Sequence, residues 1–179
     1  MKRLYLPLIL FLLLILEGVA LEILPSGLFM SDLFIVSHWV LGFLMLMAVF
    51  YDKEYTYFSV LYALIFGLLI DIVYTGVLGV YMFSYALVIY IVHRLRKMLH
   101  SNIFVTLLLG AIGIALSDIS VHTIFKVVGV TDVLWRDYFL YRLLPTVLAN
   151  LLFLAALYPI LMKSLLRWGQ EQLSRSKSL

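Results

Sequence analysis

Apolar residues run along this chain in long blocks, broken at intervals by charges and turn-forming residues. The blocks cover residues 4–24, 32–50, 55–74, 77–92, 103–128 and 138–162. A bilayer core about 30 Å thick is crossed by roughly 20 helical residues, so the blocks are of membrane-spanning size. The pattern predicts six transmembrane helices. Pro25-Ser26-Gly27, Asp52-Lys53-Glu54, Thr75-Gly76 and Arg94-Leu95-Arg96-Lys97 mark the first four turns, and residues 129–137 form the fifth and longest.

Hydrophobic residues make up 65% of the 179 and charged residues only 13%, where an ordinary soluble domain carries about 25% charged residues. So much apolar surface needs lipid. The chain reads as an all-α integral membrane protein, with one six-helix domain over residues 1–162 and a cytoplasmic tail over 163–179. In the tail Leu165, Leu166, Trp168 and Leu173 mix with basic residues, as in an amphipathic helix lying on an anionic inner leaflet. Lys2-Arg3 ahead of an apolar run has the form of a signal peptide. Glu17 and the continuation to Leu24 favour an uncleaved first helix instead. Cysteine is absent, which excludes disulfides, thiolate metal sites and a cysteine nucleophile.

Charge sets the expected orientation. Lys2, Arg3, Lys53, Arg94, Arg96, Lys97, Lys163, Arg167, Arg175 and Lys177 fall on one side of a six-helix threading, and Lys126, Arg136 and Arg142 on the other. Basic residues gather on the cytoplasmic side, so both termini are expected inside. An ionisable group near the bilayer centre costs about 2.5–3.5 kcal/mol on insertion scales, and each therefore needs a partner, a wet cavity or a proton. With the termini inside, Glu17, Glu22, His38, Asp71, Asp118, His122 and Arg142 all fall in the outer half of the membrane. They are expected to form one polar cluster, opening outward, in which Arg142 pairs with Asp118. Its carboxylates outnumber its arginine and histidines, and that surplus has no explanation in the sequence.

Small residues mark close approaches between helices: Ala111 and Ala115, Gly113 and Ser117, and Gly67 four residues before Asp71. Gly76 and Gly79 belong to a tight turn, and Pro145 is expected to kink the sixth helix. No HExxH pair, Gly-x-Ser-x-Gly elbow or glycine-rich phosphate loop is present, so no catalytic, metal or cofactor site is expected and the chain reads as no enzyme. Nothing points to nucleic acid.

The stretch Phe66-Gly67-Leu68-Leu69-Ile70-Asp71, followed by Gly76, Leu78-Gly79, Tyr81, Tyr85 and Tyr90, resembles the central segment of the MreD family of bacterial rod shape-determining membrane proteins. The specific pattern covers residues 66–90, while size and helix count agree over the whole chain. The resemblance implies a multi-pass protein of the bacterial cytoplasmic membrane. It also implies a non-enzymatic scaffold of the cell-wall elongation machinery, binding MreC and acting with MreB, RodA and a class B penicillin-binding protein. The family is similar in fold to the S components of energy-coupling vitamin transporters, and a substrate-binding subunit of such a transporter is the alternative. Short outer loops without a dense set of aromatic and amide residues favour the scaffold.

Overall fold

The computed structural model describes residues 4–23, 33–53, 55–99 and 102–176, with only the backbone described for 21–23 and 172–176. Among these residues lie six helical units and no strand. α1 is Tyr5–Ile23. α2, Trp39–Leu46, continues as a π-helical turn at Met47–Tyr51, and α3, Phe58–Ile70, continues as another at Asp71–Thr75. α4 is Val80–Arg96 and α5 is Ile103–Val127. α6 begins with a short turn at Trp135–Asp137 and a π segment at Tyr138–Leu143, then runs unbroken as Leu144–Ser176. The residues of 163–176 therefore continue the last helix.

Each helix is apolar nearly all round, so packing alone decides which face is inside. On α1 the buried residues Leu6, Leu10, Leu13, Glu17 and Ala20 recur every three or four positions, while Leu8, Phe11, Leu12 and Ile15 face outward. α2 is buried without a break from Val40 to Leu46 and packs against each of the other five helices. It is the axis of the bundle.

Polarity is arranged the opposite way from that of a soluble protein. Leu61, Ile72, Leu108, Leu152 and Ile160 are exposed, whereas Glu17, His38, Asp71, Asp118 and Asn150 are buried. Apolar surface this extensive is covered by lipid. Three helical runs, Phe58–Thr75, Ile103–Val127 and Trp135–Glu171, are long and apolar enough to cross a membrane. This is a membrane protein.

The second apolar block departs from expectation. Residues 32–50 were expected as one helix, yet 33–38 are not helical and the helix begins only at Trp39. The reason lies on α6. The N–H of Phe34 donates to the Tyr141 carbonyl at 2.8 Å, that of Val36 to Thr146 Oγ1 at 3.1 Å, and that of His38 to Asn150 Oδ1 at 2.7 Å. Asn150 Nδ2 donates in return to the Val36 carbonyl at 2.7 Å. Backbone at membrane depth must be satisfied within the protein, and here a neighbouring helix does it. Pro145 takes part by omission: it has no N–H for the carbonyl of Tyr141 four residues back, which leaves that oxygen to Phe34.

α3 and α4 form a close hairpin. A Cβ on Gly67 would lie 2.7 Å from the Cα of Met82, so only glycine permits this approach. The chain turns through Gly76 and Gly79, whose φ angles of 67° and 96° are left-handed. Gly67→Ala meets backbone that has no room to yield, and is expected to lower stability by about 1–3 kcal/mol. Thermal melting of the detergent-solubilised protein checks this, and an unchanged midpoint would show that the helices separate freely.

Candidate functional site

Three of the buried carboxylates turn out to close helix N-termini. Glu17, on α1, accepts the N–H of Val40 at 3.1 Å in the first turn of α2. Asp52 accepts the N–H groups of Phe58 and Ser59 at 3.1 and 3.0 Å, at the start of α3. Asp71 accepts three, from Gly79 at 2.9 Å, Tyr81 at 2.8 Å and Met82 at 3.2 Å, at the start of α4. A helix begins with N–H groups that lack intrahelical partners and with a partial positive charge, and a carboxylate answers both. Of the acids that the sequence left in surplus, Glu17 and Asp71 are thus matched to backbone rather than to cations.

Asp52 lies in the connection between α2 and α3, where Arg96 Nη1 also ties down the carbonyls of Ala48 and Asp52 at 2.6 and 2.7 Å. Burial pushes the Asp52 carboxyl up from 3.8 to about 6, against the pull of its bonds to Ser59 and Phe58 and of the Arg96 charge. Between those two values the folded protein holds a proton that the unfolded chain has released. Stability is therefore expected to fall as pH rises from about 4 to about 6, and to level off above. Comparing melting curves of the wild type and Asp52→Asn across that range checks the sign, since the Asn variant should lack this part of the slope.

The remaining ionisable groups gather where α2, α4, α5 and α6 meet. Asp118, fully buried on α5, is the centre. Its Oδ2 accepts the Tyr138 hydroxyl at 2.7 Å. Its Oδ1 lies 3.4 Å from both His38 Nε2 and Arg142 Nη2. The other ring nitrogen of His38, Nδ1, is 2.8 Å from the hydroxyl of Tyr85 on α4. One carboxylate thereby links four helices, and the π segment at Tyr138–Leu143 delivers two of its partners, Tyr138 and Arg142. Such insertions re-aim side chains that a regular helix would carry past one another.

His122 stands one turn beyond Asp118 but does not bond to it. Its ring stacks on Tyr138 with centroids 3.8 Å apart and meets the edge of Trp135 at 5.0 Å. Lys126, a further turn on, bonds the Val133 carbonyl at 3.0 Å and lies 5.6 Å from the Trp135 ring. Of the residues expected in one cluster, then, His38, Asp118, His122 and Arg142 are brought together. Glu17 and Asp71 serve as caps, and the Glu22 side chain lies outside the described residues. On α5, Ala111 and Ala115 are half-buried, while Gly110 lies against Leu154 and Gly113 against Met45. Among the described residues no three His, Asp or Glu side chains are placed to hold a metal.

The model of the family described as rod shape-determining protein MreD matches residues 2–168. This chain belongs to the MreD family. Rod shape-determining protein MreD of Bacillus subtilis (strain 168) is 29% identical to it over 151 residues, covering 84% of this chain and 86% of the relative. No solved structure matches. Membership in the MreD family gives the chain a role in determining rod shape.

Geometry now explains the stretch that carried the resemblance to MreD. Gly67 admits Met82, Gly76 and Gly79 turn the chain, and Asp71 receives the N–H groups that the turn presents. It is a device for building the α3–α4 hairpin. Tyr138 and Tyr85 were not foreseen as partners of Asp118 and His38: Tyr85 entered only with the family pattern, and nothing beside Tyr138 in the sequence marks the carboxylate it meets. Asn150 and Thr146 did carry a signal, two polar side chains one turn apart in an apolar helix.

Proposed function

We propose that this MreD-family chain is a non-enzymatic scaffold of the bacterial cell-wall elongation machinery, held in the cytoplasmic membrane by six spans with both termini inside. It binds MreC, and acts with MreB, RodA and a class B penicillin-binding protein. The observation that carries this reading is the occupation of the buried polar groups. The carboxylates of Glu17, Asp52, Asp71 and Asp118 are each engaged by backbone N–H groups or by side chains of another helix. Groups so committed hold a framework together. What the bundle offers outward is apolar helix surface, on α1, α3, α5 and α6, suited to other transmembrane helices as well as to lipid.

Co-purification from native membrane, with partners identified by mass spectrometry, tests the reading. MreC at near-equal amount is the expected result. A stoichiometric small molecule in place of MreC would turn the assignment to a substrate-binding subunit of a vitamin-type transporter. A reporter fused after Leu179 is expected on the cytoplasmic side.

A further inference from the structure

We propose that the end of the bundle where α5 gives way to α6 binds the headgroup of an anionic phospholipid, with Arg142 as its principal partner. A guanidinium carries five N–H donors. Arg142 uses Nη2 in a single long contact to Asp118, at 3.4 Å, and 24% of its side chain is exposed. Its Nε, though buried, bonds to no other described residue. Asp118 is meanwhile well supplied by Tyr138 and His38, so it leaves most of the guanidinium unused.

A second unmatched group lies against the same Tyr138 ring. His122 is 2% exposed, its ring clamped on Tyr138, and its Nε2 has no hydrogen-bond partner among the described residues. The Arg142 guanidinium lies 6.0 Å from the same Tyr138 ring. The two free oxygens of a phosphate diester match the fork of a guanidinium and accept from an imidazole N–H, and a headgroup with no cation of its own, unlike choline, leaves that phosphate charge for the guanidinium to answer.

The surroundings select an amphiphile rather than a free ion. Phe34, Leu134, Phe139 and Leu140 are all exposed at this end, which provides an apolar bed for acyl chains next to a cation. Aromatic rings and basic side chains at one level are what the headgroup region of a bilayer favours. An acidic side chain of a partner helix is the rival occupant.

Native mass spectrometry of the full chain in detergent, with dioleoylphosphatidylglycerol or dioleoylphosphatidylcholine added, tests the site. One phosphatidylglycerol is expected to be retained about tenfold better than phosphatidylcholine, the scale of one charge-assisted contact. The double variant Asp118→Asn with Arg142→Gln, which leaves no charge buried alone, is expected to lose that preference. Arg136→Gln, an exposed cation at the same end, is expected to keep it. His122→Phe, which preserves the stack on Tyr138, is expected to weaken it. Equal retention of the two lipids by the wild type would overturn the proposal without any variant. So would an undiminished preference in a folded double variant, or a loss in Arg136→Gln as large as that at Arg142.

Discussion

Asp118→Ala is expected to destabilise the protein by about 3–5 kcal/mol, the range for removing one partner of a buried ion pair. Arg142 would lose its counterion, His38 its acceptor and Tyr138 the oxygen its hydroxyl donates to, all in one step. Once the buried carboxylate is gone, the guanidinium must swing outward or drag its helix with it. Fluorescence-detected size exclusion after graded heating reads the effect as an earlier loss of the monodisperse peak. The neutral pair Asp118→Asn with Arg142→Gln should recover most of the loss, since neither member then carries an unanswered charge. A melting midpoint unchanged in Asp118→Ala would mean that the four helices are held by apolar packing alone. Where MreC co-purifies as proposed, its recovery with these variants should follow folded yield, as befits a residue that shapes the framework rather than one that touches a partner.

Asp71→Ala is the second large effect, expected at about 3 kcal/mol, because a buried N–H left without an acceptor costs about 1–3 kcal/mol and here the buried N–H of Tyr81 and the part-buried ones of Gly79 and Met82 all lose theirs. Asp71→Asn should lose less, since its amide oxygen still accepts while its NH2 faces donors. This change is local where that at Asp118 is distributed. Hydrogen exchange in Asp71→Ala should accelerate at residues 79–82 and remain unaltered in the middle of α5. Acceleration spread evenly over all helices would show that the cap supports the whole bundle and not one hairpin.

The number of helical units was legible in the sequence because chain length, turn residues and apolar block length agree on it. Helix limits were legible where a block ends on a charge or glycine, as at Val127 and Gly76, and illegible at Trp39. Nothing local distinguishes the non-helical Phe34–His38 stretch from helix: its N–H groups are satisfied by Thr146 and Asn150, more than a hundred residues away. The pairing of Arg142 with Asp118 was legible too, but the partners of Glu17, His38 and Asp71 were not. Glu17 and Asp118 look alike in a hydropathy profile, yet one faces the first N–H groups of α2 and the other an arginine. Only Asp71 carried a clue to its task, since Gly76 and Gly79 place a helix start within its reach. Asp118 and His122 stand four apart on one face of α5, yet His122 stacks on Tyr138 from the π segment of α6.

Because Phe34, Val36 and His38 are completed by atoms of Tyr141, Thr146 and Asn150, the order of synthesis matters. The ribosome releases residues 33–38 long before it makes residue 141, so their amides enter the translocon with no native acceptors. They must stay hydrated, or coil provisionally into helix, until the last hydrophobic segment arrives. The central axis α2 can therefore settle only when α6 is in place. A chain truncated before residue 141 would be inserted in the lipid and still unfinished.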